Sequence, residues 1–140
     1  MTNEMKIQLR QVSKWTSEAT FRDHQVLIDR PTAKGGTDMG PMGGELFLAA
    51  LGGCFMSTLL AAIRAREAEI SGVRTEVIGI LEDSPARFAA VELYVTADNP
   101  DEELLERLVE IADRGCIMMN TFRGKLDVRV RLGVPATRGE

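Results

Sequence analysis

The sequence predicts a single α+β domain over residues 1–140 from three observations. Apolar and polar residues alternate near both ends of the chain, an eighteen-residue run at its centre carries no charge, and one amphipathic helical stripe lies between two strand patterns. A 140-residue chain with 44% apolar residues is long enough to bury a core of its own, and 27% charged residues place it among globular proteins. No repeat, low-complexity segment or linker interrupts it.

The elements follow in order. Met5, Ile7 and Leu9 alternate with Lys6, Gln8 and Arg10, and Thr16 to Phe21 and His24 to Ile28 read as two further strands of a meander. Pro31 to Gly44, with five glycines and two prolines, has to be a loop. Glu45 then opens a helix whose uncharged stretch, Leu46 to Ile63, touches the lower length limit for a membrane span. Gly52-Gly53, Ser57-Thr58 and the charged continuation Arg64 to Glu69 favour a helix buried in protein on every side, stopped at Ser71-Gly72. Val73 to Leu81 and Phe88 to Thr96 form a strand pair around the polar turn Glu82 to Arg87. Asn99 as N-cap, Pro100 at the first helical position and Glu102 at the capping-box position start a second helix, with Leu104, Leu105, Leu108, Ile111 and Ala112 as its apolar stripe. Gly115 stops it. Lys125 to Leu132 alternates cleanly and reads as a half-exposed antiparallel strand.

The inventory of reactive side chains is short: two cysteines and one histidine. With only His24 available, a metal site is not expected, and a Ser-His-Asp or Cys-His device would have to use that residue. The net charge of −4, without long runs of one sign, argues against nucleic acid as a partner. MTNEMKIQLRQV has no apolar run after a basic start and does not read as a secretory signal, so the expected compartment is the cytoplasm, without a membrane partner. There, cysteines are free or transiently paired rather than permanently bridged.

Cys54 reads in two ways. Free cysteine in an apolar helix is usually a small hydrophobe. Against this, Gly52-Gly53 costs about 1 kcal/mol per glycine in a helix interior, which calls for a close approach beside Cys54, and Ser57 adds a polar atom one turn on. A thiol acting near neutral pH needs its pKa lowered, and an arginine held by a carboxylate is a minimal device. Glu45 is the nearest carboxylate in sequence. It precedes Cys54 by nine residues, which puts it on the opposite side of a continuous helix and about 13 Å along the axis. Glu45 therefore either favours the helix N-terminus electrostatically or works on a partner chain. Cys116, directly after Gly115, is either core packing or a resolving thiol.

The run GELFLAALGGCFMSTL (Gly44 to Leu59), the later ADRGCIMMNTF (Ala112 to Phe122) and the upstream HQVLIDRP before a Gly-Pro-rich loop resemble the OsmC/Ohr family. The ELFLAALGGC form is more similar to its OsmC-like branch than to the organic-hydroperoxide-resistance branch. The resemblance implies an OsmC-like fold, with antiparallel sheets packed around long central apolar helices in an intertwined homodimer. It also implies thiol-dependent reduction of organic hydroperoxides in oxidative-stress defence, with Cys54 as the peroxidatic thiolate, Cys116 as the resolving thiol, a small hydroperoxide as substrate, an external dithiol as reductant and no bound cofactor. The peroxidase branches place a glutamate ten residues before the reactive cysteine; here that position is Gly44, and Glu45 comes one residue late, as the resemblance to the OsmC-like branch implies. The arginine partner is expected near the N-terminal strands, and Arg22 is chosen over Arg10 and Arg30. The alternative reading is a non-catalytic dimer of this type whose apolar cleft binds a small hydrophobic ligand.

Overall fold

A computed structural model of the chain describes residues 2–98 and 100–136. They group into two compact units, one reaching to Phe47 and the other beginning at Leu48.

The first unit is a three-stranded antiparallel sheet followed by the glycine-rich loop. Strands β1 (Gln8–Gln11), β2 (Ser17–Phe21) and β3 (His24–Ile28) pair in the order β1-β2-β3. Strand β1 starts at Gln8, later than the alternation implies, and Met5 and Ile7 lie before the paired register, both exposed. Phe21 pairs with His24, so Arg22 and Asp23 form a two-residue hairpin loop, with Arg22 at φ 56°. A left-handed residue there matches the strand twist, which is why such loops use it despite the cost for a side chain with a Cβ.

This unit buries little apolar surface and is organised instead around one carboxylate. Asp29, itself buried, accepts the Thr16 hydroxyl at 3.0 Å and the amides of Arg30 at 2.7 Å and Met39 at 3.2 Å. The Thr37 amide and hydroxyl complete its shell. These bonds clasp the loop after a single 3₁₀ turn at Thr32–Lys34, and the Asp29 amide donates to Pro41 O at 3.1 Å. Gly36 is required within the clasp, because a Cβ there would stand 2.1 Å from Arg30 O.

Helix α1 (Gly43–Ala65) carries the chain from the first unit into the second. It starts two residues before the expected Glu45, with Met42 accepting the first intrahelical bond from Leu46 at 3.0 Å. It ends at Ala65 rather than Ser71-Gly72. The Glu67 amide bonds Arg64 O and the Ala68 amide bonds Ile63 O, with Glu67 left-handed at φ 48°, a closed C-terminal turn that needs no glycine. The helix is not buried on every side. Leu51, Gly52, Phe55, Leu59, Ala62 and Ile63 are buried, whereas Ala49, Gly53, Ser57, Leu60 and Ala61 are exposed. By length and composition it is apolar enough to cross a membrane, with a mean hydropathy of 2.1.

In the second unit, β4 (Ser71–Glu82) and β5 (Arg87–Asp98) form the expected hairpin, each slightly longer than the alternation suggests. Helix α2 (Glu102–Gly115) is capped by Asp101, whose carboxylate accepts the Leu104 amide at 3.1 Å. The expected N-cap, Asn99, lies outside the described residues. Pro100 precedes the cap and Glu102 is the first helical residue, so neither has the position expected of it. Leu105, Leu108, Val109 and Ala112 make the buried stripe, and Ile111 is largely exposed. A short helix, α3 (Ile117–Phe122), follows Cys116 with no counterpart in the sequence reading.

Strand β6 (Asp127–Leu132) alternates as expected but runs parallel to β5, pairing Val91 with Val128 and Leu93 with Val130. The sheet is therefore mixed, in the order β4-β5-β6, and not antiparallel throughout. The cause is the connection, since α2 and α3 return the chain to the start of β5, as a helical crossover does.

The Asp29 clasp sets a pH dependence. The Thr37 hydroxyl bond, opposed by burial and reinforced by the amides of Met39, Arg30 and Thr37, holds the Asp29 carboxyl well below the usual carboxylate range. A depressed native pKa stabilises the fold above the unfolded value near 4, and that stability is lost as pH falls toward the native value. Thermal melts of wild type and Asp29→Asn are expected to differ fully above about pH 5 and to draw together progressively as the pH falls below about 4 toward the native value.

Candidate active site: a pair of cysteines

Cys54 sits in the middle of α1, and its orientation follows from the glycine before it. A Cβ on Gly52 would stand 2.5 Å from Val77 Cγ2, so only glycine lets α1 approach β4 there. One residue turns the helix by about 100°, which points Gly53 outward, where a Cβ would meet nothing within 4 Å. The next step leaves Cys54 on the flank, half-buried. The glycine pair thus answers two different surroundings.

Cys116 is brought to that flank by the end of α2. It caps α2 at its C-terminus and α3 at its N-terminus and is fully buried. Gly115 lies against α1, with a would-be Cβ 3.4 Å from Thr58 Cγ2, and the Thr58 hydroxyl donates to Cys54 O at 3.0 Å. The Cys116 thiol donates to Cys54 Sγ at 3.3 Å, across 62 residues of sequence. Neither is in a disulfide.

The two sulfurs are electrostatically unequal. Burial pushes the Cys116 thiol up, the Met119 and Met118 amides oppose this, and the hydrogen bond with and charge on Cys54 push it further up. Cys116 is therefore held as the neutral thiol and hydrogen-bond donor, and Cys54 is the more accessible acceptor.

The other expected site residues lie in the first unit. Glu45 accepts the Met42 amide at 2.8 Å, the reach-back bond of a capping box, so its carboxylate serves the start of its own helix. Arg22 sits at the β2–β3 turn without a side-chain partner among the described residues. Arg10 pairs with Glu18 at 3.0 Å, and Arg30 lines a cavity. His24 is exposed at the start of β3. Among the described residues no three His, Cys, Asp or Glu side chains cluster where they could hold a metal. Gly115 and Thr58, which set the approach of the two cysteines, were not singled out as positioning residues from sequence; the only cue is a glycine directly before a cysteine at a helix end.

A family profile described as OsmC-like protein matches residues 35–131, which contain both cysteines. The chain belongs to the OsmC-like family. Solved structures agree in fold. A hypothetical protein from Aquifex aeolicus VF5 is 14% identical with a TM-score of 0.80, covering 96% of this chain and 98% of its own. A Legionella pneumophila organic hydroperoxide resistance protein OsmC is 20% identical with a TM-score of 0.72, covering 96% and 99%. The organic hydroperoxide resistance protein OhrB of Bacillus subtilis is 26% identical with a TM-score of 0.67, covering 94% and 98%. Among curated proteins no sequence matches the chain. The OsmC-like assignment covers the segment that holds the sulfur pair, and the α+β architecture described above is the one these structures share.

The unequal burial gives a direct expectation. Iodoacetamide near pH 8 should label Cys54 at least tenfold faster than Cys116, read by peptide mass spectrometry, because Cys116 is buried and held as the neutral thiol whereas Cys54 is half-buried. Equal labelling of both would contradict the asymmetry.

Proposed function

We propose that this protein is a thiol-dependent peroxidase that reduces organic hydroperoxides in oxidative-stress defence, and the 3.3 Å contact between the Cys54 and Cys116 sulfurs carries this reading. Family membership and the fold shared with organic hydroperoxide resistance proteins support it. In the reaction, the Cys54 thiolate attacks the distal oxygen of ROOH. The S–O bond forms as the O–O bond breaks, leaving a Cys54 sulfenic acid and an alkoxide that takes a proton to become ROH. The Cys116 sulfur then attacks the sulfenic sulfur, water leaves and a disulfide forms. The sulfurs need to close from 3.3 Å to about 2.05 Å for that bond. An external dithiol returns both cysteines to thiols, and no bound cofactor takes part. A reducing compartment such as the cytoplasm suits this cycle.

The roles of Cys54 as peroxidatic thiol and Cys116 as resolving thiol follow the difference in burial. Arg22, free of other partners among the described residues, is the proposed cation at the thiolate. Glu45 is the less favoured carboxylate for that arginine, since it is engaged with the Met42 amide. This engagement, with Gly44 at the position where the resemblance places a glutamate, favours as second reading a non-catalytic dimer that binds a small hydrophobic ligand.

A homodimer is part of the proposal. Ala49, Gly53, Ser57, Leu60 and Ala61 form an exposed, uncharged and mostly apolar face of α1, the kind of surface a second copy covers.

Two experiments test these statements. Reduced protein treated with one equivalent of cumene hydroperoxide should lose the mass of two hydrogens. Cys116→Ser should instead gain one oxygen, and Cys54→Ser should consume no peroxide. An unchanged wild-type mass with no peroxide consumed sinks the peroxidase and leaves the ligand-binding reading. Separately, wild type should sediment as a dimer and the folded Ala61→Arg variant as a monomer; a monomeric wild type rejects the dimer.

A further inference from the structure

A cavity of about 520 Å³ is lined by residues of the first unit alone, and its wall brings together groups of two chemical kinds. Lys14 and Arg30 supply charge, and Trp15, Ile28 and Met42 supply apolar surface. The volume falls in the roughly 300–1,000 Å³ range of small-molecule sites.

The groups are held in place by backbone rather than by one another. Ser13 Oγ accepts the amides of Trp15 at 3.2 Å and Thr16 at 3.0 Å, while the Val12 amide donates to Thr16 O at 2.9 Å, closing the β1–β2 turn. This turn presents the indole, which is 56% exposed although it belongs to the chain's only tryptophan. Arg30 is fixed from both sides, its amide donating to Asp29 Oδ1 at 2.7 Å and its carbonyl accepting from the Asp38 amide at 3.0 Å. Its guanidinium has no ion-pair partner among the described residues, and the Lys14 ammonium lies 5.8 Å from the centre of the Trp15 ring, again with no carboxylate partner among them.

Charge balance selects the ligand. The wall holds two cations and one carboxylate, Asp29, whose oxygens already accept from Thr16, Arg30, Thr37 and Met39. One net positive charge suits a monoanion better than a polyphosphate, and an indole beside aliphatic side chains suits a flat apolar body. We propose that this cavity binds a small aromatic carboxylate, with Lys14 and Arg30 on the carboxylate and Trp15 against the ring. No cysteine lines the cavity, and the proposal stands whether or not the protein reduces peroxides.

As the only tryptophan, Trp15 reports on its own pocket. Titration with benzoate should change its emission saturably, with a dissociation constant in the roughly millimolar range expected of so few ligand atoms. Lys14→Gln and Arg30→Gln, both exposed side chains checked for folding by circular dichroism, should each weaken binding about fivefold or more. Benzyl alcohol, the uncharged analogue, should bind wild type at least about fivefold more weakly, and Cys54→Ser should bind benzoate as wild type does. A non-saturable response, equal binding of benzyl alcohol, or wild-type affinity in both charge variants overturns the proposal. So does a pocket closed to benzoate by a second copy of the chain.

Discussion

A helix with eighteen successive uncharged residues has to be covered, and the way α1 is covered in the second unit determines where its chemistry points. Leu51, Phe55 and Leu59, spaced four apart, are fully buried, as are Val91, Leu93 and Val95 along β5. Burying each such side chain contributes about 1.5–3 kcal/mol, so these six are a large part of what holds the unit together. The rotation of α1 is fixed where its backbone presses on β4 at Gly52, since any larger residue there meets Val77. Once Gly52 faces the sheet, helix geometry assigns Gly53 to the open side and Cys54 to the flank. The position of the proposed nucleophile is thus a consequence of packing one residue type against one strand.

The same packing makes the two sulfurs unequal. Two thiols in contact do not both ionise readily, because the second charge is created beside the first. Which one keeps its proton is decided by solvation. Cys116, fully buried between α2 and α3, pays the larger desolvation cost for ionising, and Cys54 is half-buried. A protonated Cys116 donates to the Cys54 sulfur at 3.3 Å. A pair that looks symmetric in composition is directional in its surroundings.

Much of this fold is written in periodicity. The α1 helix, the buried stripe of α2 and the alternation of β6 follow from patterns of apolar residues that local physics interprets without help. What periodicity does not carry is the direction of a pairing. The side chains of Val128, Val130 and Leu132 would alternate identically in an antiparallel strand, and only the helical crossover makes β6 parallel. Helix α3 spans six residues, too few to show a period, and the turn that ends α1 places Glu67 where glycine is the usual signal. The cap of α2 is Asp101, where the sequence pattern pointed to Asn99. The sulfur contact joins residues 62 apart, which no local pattern links; the resemblance brought them together before the geometry did.

One register shift separates this chain from the peroxidase branches of the family it resembles, and its physical meaning is concrete. A carboxylate at Gly44 would project about 100° away from Glu45 around the helix. Glu45 instead holds the Met42 amide at 2.8 Å, a charge-assisted bond that also neutralises part of the helix N-terminus. Releasing it to hold an arginine would give up that bond and loosen the first turn of the helix that carries Cys54. In the proposed reaction the arginine at the thiolate is therefore positioned without this carboxylate. An arginine side chain loses up to about 2 kcal/mol of rotamer freedom when it is fixed. If that cost falls in the transition state instead of being met by a carboxylate beforehand, the rate falls by up to about thirtyfold. The substitution of Gly44 for a carboxylate thus bears on how fast such chemistry runs, while the sulfur contact that permits it is set elsewhere, by Gly52 against Val77 and Gly115 against Thr58.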